Sequence, residues 1–177
     1  RMIRNAFAIL MCSRGIPMFL AGDEFCNTQF GNNNSYCQDN ITSWLDWRLL
    51  EKNRDIFEFF KYMIRFRKSH RLLRTNVSNG VNGFPDVSFH GVIPWCEHFA
   101  GYDRYIGVMF TGQEKSSGPQ FIYVASNAYW EEVEVLLPEL PISMCWKVVV
   151  DTWEESQKAY NLYSDRITVR PRSLMVV

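Results

Sequence analysis

The sequence predicts an α+β chain, with a short helical, α/β-type portion followed by an all-β antiparallel sandwich. Three observations carry this. Apolar residues recur at helical spacing over residues 2–14 and 54–69. Seven short β-type runs, parted by turn residues, fill the chain after residue 86. Between these two patterns lies a polar, glycine-containing stretch, residues 74–86, which is expected as a boundary.

The first helix is apolar on most sides, through Ile3, Ala6, Phe7, Ile9, Leu10 and Met11, so it should pack against something large. Gly15 is expected to end it. Pro17 opens the run Met18-Phe19-Leu20-Ala21, which Gly22 stops. A short continuous apolar run after a helix suits a parallel strand buried on both faces. One helix–strand unit cannot make a sheet alone, so the rest of such a sheet would lie outside this chain. Arg1 is expected inside a helix rather than before one, as in a fragment, because no capping residue precedes it. Residues 22–52 read as a long irregular segment, and loops of that length within a compact domain usually serve function. The second helix has Asn53 as its expected cap, with Ile56, Phe60, Met63, Ile64 and Arg67 at helical spacing.

The β-type runs are Val87–Val92, Tyr105–Thr111, Phe121–Asn127, Glu132–Leu137, Trp146–Asp151, Arg166–Val169 and Ser173–Val177. Period-two alternation is clearest in Glu132-Val133-Glu134-Val135. Turn signals at Gly101, Gly112, Ser117-Gly118-Pro119, Pro138 and Pro141 part the runs. Residues 87–177 hold enough apolar positions for a core of their own.

Lys+Arg and Asp+Glu number 19 each, so the chain is neutral and lacks the basic footprint of a nucleic-acid or anionic-membrane binder. The cluster Arg65 to Arg74 reads as a solvated helix end. No apolar run reaches membrane-spanning length, and the apolar start lacks the small-residue cleavage site of a secretory signal. The five cysteines, Cys12, Cys26, Cys37, Cys96 and Cys145, contain no CxxC pair. They read as free thiols in a reducing cytoplasm, with a Cys26–Cys37 bridge as the alternative.

Glycosidic hydrolysis needs two carboxyl groups flanking one bond. The only adjacent pair in the loop is Asp23-Glu24. Neighbours at a strand end point to opposite faces, so holding the strand end through backbone hydrogen bonds is the expected role. Asn32, Asn33 and Asn34 offer the donor and acceptor pattern that sugar hydroxyls need, yet asparagine is also an ordinary turn residue. Both readings stand at this point. Trp44, Trp47, Trp95, Trp130 and Trp153 read first as core, with sugar stacking as the alternative. His70, His90 and His98 are scattered, which gives no metal cluster and no catalytic base. No phosphate loop or nucleophile elbow is present.

A more specific signal runs from Gly15 to Trp47. It comprises Gly15-Ile16-Pro17-Met18-Phe19-Leu20-Ala21-Gly22-Asp23-Glu24-Phe25, then Thr28-Gln29, Gly31-Asn32-Asn33-Asn34 and Tyr36-Cys37-Gln38-Asp39-Asn40, then Ser43-Trp44-Leu45-Asp46-Trp47. This resembles the isoamylase-type glycogen debranching enzymes of glycoside hydrolase family 13, in the α-amylase superfamily. His90-Gly91-Val92, Asn127-Ala128-Tyr129-Trp130 and Val149-Val150-Asp151-Thr152 extend the likeness over nearly the whole chain. The resemblance implies the C-terminal portion of such an enzyme. Residues 1–73 would be the last α/β unit of a (β/α)8 TIM barrel, residues 74–86 a linker, and residues 87–177 the β-sandwich C-terminal domain. The implied activity is hydrolysis of α-1,6 branch points in glycogen or limit dextrins. Implied too are a cytoplasmic location, an α-glucan as partner and no cofactor or metal. The family's catalytic carboxylates would all precede Arg1, so no catalytic residue is assigned and the isolated chain is expected to be inactive. Barrel sites sit at the C-terminal ends of strands, which puts Asn32, Asn33, Asn34 and Tyr36 at the substrate-binding rim. The rival readings are a non-catalytic glucan-binding or stabilising module, and a relative of other specificity such as a trehalose-forming hydrolase.

Overall fold

The computed structural model describes residues 1–74, 80–96, 100–101, 103–114 and 118–177. Part of the expected linker (75–79), His98 and Ser117 of one turn signal lie outside the described residues.

Among the described residues three α-helices come first: α1 (Met2–Cys12), α2 (Arg48–Lys52) and α3 (Arg54–Ser69). Nine strands among the described residues follow: β1 (Val87–His90), β2 (Tyr105–Glu114), β3 (Gly118–Asn127), β4 (Val133–Leu136), β5 (Lys147–Val148), β6 (Val150–Asp151), β7 (Tyr160–Asn161), β8 (Arg166–Val169) and β9 (Ser173–Val176). A five-stranded sheet has the order β1-β2-β3-β9-β6, and two ribbons, β4-β8 and β5-β7, stand apart from it. Every pairing among these strands is antiparallel.

Side-chain alternation gives the five-stranded sheet two apolar faces. Phe110, Ile122, Val124, Leu174 and Val176 pack on the helices, against Phe7, Met11, Phe59, Phe60 and Met63. Their neighbours Met109, Tyr123, Ala125, Met175 and Val177 turn the other way, into a second core with Val135, Trp146, Val148, Ile167 and Val169 from the ribbons. The helices and the sheet therefore share one of the two cores. Polar contacts join them as well. Arg14 pairs with Asp86 at 2.6 Å, the Tyr62 hydroxyl donates to the Val149 carbonyl at 2.7 Å, and Asn5 Nδ2 donates to the Arg172 carbonyl at 2.8 Å.

The expected strand at Met18–Ala21 does not form. Residues 16–20 have no strand partner among the described residues, and Ile16 and Met18 are 96 % and 86 % exposed. A strand needs a neighbour to bond its backbone, and none of the described strands pairs with this run. The expected run Trp146–Asp151 divides into β5 and β6, which pair with different partners. Strand β7, two exposed residues long, carries no alternation that a sequence could show.

Helix α1 also stops at Cys12, short of the expected end at residue 14. Gly15 follows in the left-handed region (φ 107°), but the terminal carbonyls are satisfied by Arg67. Its guanidinium donates to the carbonyls of Met11 (2.6 Å), Ser13 (2.7 Å) and Gly15 (2.7 Å). Arg67 is thus buried, where the basic cluster suggested a solvated helix end, and it supplies a cation where the helix dipole favours one. That burial lowers its pKa below the ordinary guanidinium value.

Candidate functional site

The segment from Gly22 to Trp47 is a loop that builds its own scaffold from short-range bonds. It opens with a 3₁₀ turn, Asp23–Phe25. Asp23 Oδ2 accepts from the Leu20 backbone N–H at 3.0 Å, and Glu24 Oε2 accepts from that of Gly22 at 2.8 Å. Both carboxylates therefore hold the turn, as expected for one of them, rather than face a common reacting bond.

The asparagine run forms two successive side-chain turns. Asn32 Oδ1 accepts from the Asn34 N–H at 2.9 Å, and Asn34 Oδ1 accepts from the Tyr36 N–H at 3.3 Å. These bonds take one acceptor from each of two amides. Asn33, Asn34 and Tyr36 face solvent, with Tyr36 82 % exposed, while Asn32 is half-buried. The four residues thus lie together at the tip of the loop.

The return limb is braced by polar contacts. Trp44 Nε1 donates to Asp39 Oδ1 at 2.8 Å, Asn40 Oδ1 accepts from the Thr42 N–H at 2.9 Å, and the Ser43 hydroxyl donates to the Gln38 carbonyl. Arg48 forks onto Asp46 at 2.8 and 2.7 Å, and this hydrogen bonding holds the Asp46 carboxyl below the usual carboxylate range. Phe25 is fully buried, with Trp47 tilted over it at 5.2 Å. Asn53 begins α3 but makes no side-chain cap; its amide donates to the Phe25 carbonyl at 3.0 Å. The expected cap is instead a tie between helix and loop.

Trp44, Trp47, Trp95, Trp130 and Trp153, expected first as core, are instead all exposed, because each borders a loop or turn rather than a covered sheet face. His90 is fully buried. Its Nδ1 accepts from the Trp95 N–H at 3.0 Å, which places the ring proton on Nε2, 2.8 Å from the Ser88 hydroxyl. The Trp130 ring is tilted against that of Tyr129 (4.3 Å), and Arg1 lies over Trp153 (4.5 Å). The Tyr105 and Tyr123 hydroxyls bond each other at 3.0 Å beneath Gly107, where an added Cβ would sit 1.9 Å from the Tyr123 oxygen. Burial raises both phenols, Tyr123 to about 12. All five cysteines are free, so the Cys26–Cys37 bridge is not made, and burial pushes the Cys12 thiol up to about 12. Among the described residues no cluster of His, Cys, Asp or Glu has a metal-binding arrangement, and no helix is long and apolar enough to cross a membrane.

Sequence reasoning passed over Asn27 and Asp39, which hold the loop's shape. Both look like ordinary loop polar residues, and their partners lie 19 and 5 positions away. Only the folded backbone brings those partners into range.

No family model matches the chain. Isoamylase 3, chloroplastic, of Oryza sativa subsp. japonica is 38 % identical over 157 residues, covering 88 % of this chain and 19 % of that protein. A glycogen operon protein GlgX homolog of Mycobacterium tuberculosis is 33 % identical over 173 residues, covering 86 % of this chain and 24 % of its own length. Over most of its own length the chain is thus homologous to isoamylase-type debranching enzymes. It spans about a fifth to a quarter of the length of these relatives. A pullulanase from Anoxybacillus sp. LM18-11, solved with maltotetraose, shares its fold at a TM-score of 0.71 and 21 % identity, over 98 % of this chain and 22 % of that one.

Proposed function

We propose that this chain is the C-terminal part of a debranching α-1,6-glucosidase, and that the loop from Gly22 to Trp47 forms part of its glucan-binding rim. The substrate would be a branched α-glucan such as glycogen or a limit dextrin. In this reading α1, the segment 16–21 and α3 are the last helix, strand and helix of a (β/α)8 barrel. The exposed apolar side chains of Ile16, Met18 and Leu20 fit a strand whose neighbours belong to the remaining barrel. Residues 1–73 would then be barrel, 74–86 linker and 87–177 the C-terminal β-domain. The five free thiols accord with a cytoplasmic protein.

The observation that carries the reading is the loop tip. Asn32, Asn33, Asn34 and Tyr36 stand together on a scaffold already fixed by hydrogen bonds, so ordering them against a sugar costs little entropy. Three non-glycine residues in this loop, Cys26, Phe30 and Cys37, hold positive φ angles of 60°, 54° and 62°. Strain of that kind collects at binding sites. The asparagine amides keep their NH2 donors, and Tyr36 offers a ring face and a hydroxyl.

Catalysis in the parent enzyme would need a carboxyl pair from elsewhere, since Asp23 and Glu24 are engaged by backbone N–H groups. The isolated chain should therefore bind maltoheptaose weakly and release no reducing ends from glycogen. Titration of the chain with maltoheptaose, repeated with Asn33→Ala and Tyr36→Ala, tests the rim. Each truncation should weaken binding by about 0.5–1.5 kcal/mol without lowering Tm. Unchanged affinity with a lowered Tm would leave the tip as scaffolding.

A further inference from the structure

Residues 28–43 leave the body of the protein and return to it at one point. Gly22, Asn27 and Leu45 meet there. A Cβ added to Gly22 would lie 2.7 Å from Asn27 Cβ and 3.0 Å from Leu45 Cδ2, and the φ of 100° at Gly22 already excludes most side chains. Asn27 bonds to both limbs. Its backbone N–H donates to the Gly22 carbonyl at 2.9 Å. Its Oδ1 accepts the backbone N–H of Asp46 at 2.9 Å, and its Nδ2 reaches the Trp44 carbonyl at 3.5 Å.

Apart from the Asn53 amide on the Phe25 carbonyl, which ties the start of the loop to α3, the loop's other side-chain bonds are local. Those of Thr28, Asn32, Asn34, Gln38, Asn40, Ser43 and Trp44 within the loop span two to five residues. They shape each limb but do not fix one limb against the other. The contacts of Asn27 span 17 and 19 residues and do.

We infer that Asn27 is the positioning residue of this loop: its Oδ1 clasps the Asp46 N–H, sets the distance between the two limbs, and so places Asn32–Tyr36 against the glucan. This rests on the rim reading above. Asn27 lies below the tip and acts on sugar only through the loop it holds. The acceptor carries the effect, because the contact to Trp44 is at the limit of hydrogen-bond length.

The test uses the 177-residue chain with Asn27→Ala and Asn27→Asp, read by amide hydrogen exchange and by maltoheptaose titration. Asn27→Ala should speed exchange over residues 28–46 by roughly 2- to 12-fold, the factor for one net hydrogen bond. Exchange in β2 and β3 should stay unchanged, and maltoheptaose affinity should fall by a similar factor. Asn27→Asp keeps the acceptor and should restore both. A general loss of stability would instead speed exchange in the sheet as well. Native exchange and affinity in Asn27→Ala would overturn the proposal, and so would an Asn27→Asp chain as impaired as Asn27→Ala. If the wild-type chain binds no maltoheptaose, the rim reading fails, and the clasp is then decided by the exchange pattern alone.

Discussion

Ile16-Pro17-Met18-Phe19-Leu20 and Ser173-Leu174-Met175-Val176-Val177 are both short apolar runs, and they end in opposite surroundings. In the first, Met18 is 86 % exposed; in the second, Leu174 and Val176 are fully buried. Hydropathy does not separate them. Strand β9 lies between β3 and β6, so its backbone is bonded on both sides and its two faces are covered, one by the helices and one by the ribbons. Among the described residues the first run has no strand beside it. Apolar sequence proposes a strand, and only a neighbour makes one.

The largest test of this contrast is to remove the cover on one side of β9. A polypeptide of residues 86–177 loses α1 and α3, and with them the packing over Phe110, Val124, Leu174 and Val176. Its second core stays within the segment. The sheet signal in circular dichroism should persist, while Tm should fall by on the order of 10 °C relative to the whole chain. An unchanged Tm would show that the helices contribute nothing to the sheet. Loss of all sheet signal would show that the β-part does not stand as a domain.

The helical side can be loosened at one residue. Arg67→Met keeps the bulk of the stem and removes the donors to Met11, Ser13 and Gly15. Bonds to a buried cation are among the stronger ones, so the loss should be about 3 kcal/mol in urea unfolding. A loss under about 1 kcal/mol would mean that water replaces the guanidinium at no great cost. A smaller effect of opposite sign is expected at Cys26. Its left-handed conformation strains a side chain that glycine would not carry. Glycine also adds freedom to the unfolded chain, so Cys26→Gly should stabilise by only about 0.5 kcal/mol. A destabilised variant would show that the half-buried thiol packs for more than the strain it causes.

The sequence was legible wherever local pattern and tertiary role coincide. The observed bounds of α3 match those expected from its apolar spacing, and the runs at Arg166 and Ser173 became β8 and β9. Legibility failed where a distant partner decides. Arg67 reads as one of a solvated basic cluster until α1 ends against it, and Asn53 reads as a cap until Phe25 presents its carbonyl. The loop tip was legible as a cluster, because Asn32, Asn33, Asn34 and Tyr36 are close in sequence. Asn27 was not, because its role depends on Asp46.

The smallest expected effect contrasts two aspartates, one in each region. At Asp46, in the loop, hydrogen bonds from Arg48 lower the pKa. At Asp151, in β6, burial raises it against the bond its carboxylate accepts from the Trp153 N–H. The signs follow from linkage. Asp46 binds its proton less readily when folded, so it adds stability above the unfolded aspartate pKa, and that contribution is lost as pH falls through the lower folded value. Asp151 binds its proton more readily when folded, so its contribution declines as pH rises from the unfolded pKa through the higher folded one. Asp151→Asn keeps an oxygen for the Trp153 N–H and removes the charge. It should raise Tm slightly at neutral pH and converge on the wild type near pH 3, where both are uncharged. Asp46→Asn should lower Tm at neutral pH and converge on the wild type only at lower pH, once the depressed folded pKa of Asp46 has been passed. Calorimetric Tm values across that range decide the matter: two variants that shift the same way at neutral pH would mean that burial does not set the charge cost in β6, or that the Arg48 fork is already present in the unfolded chain.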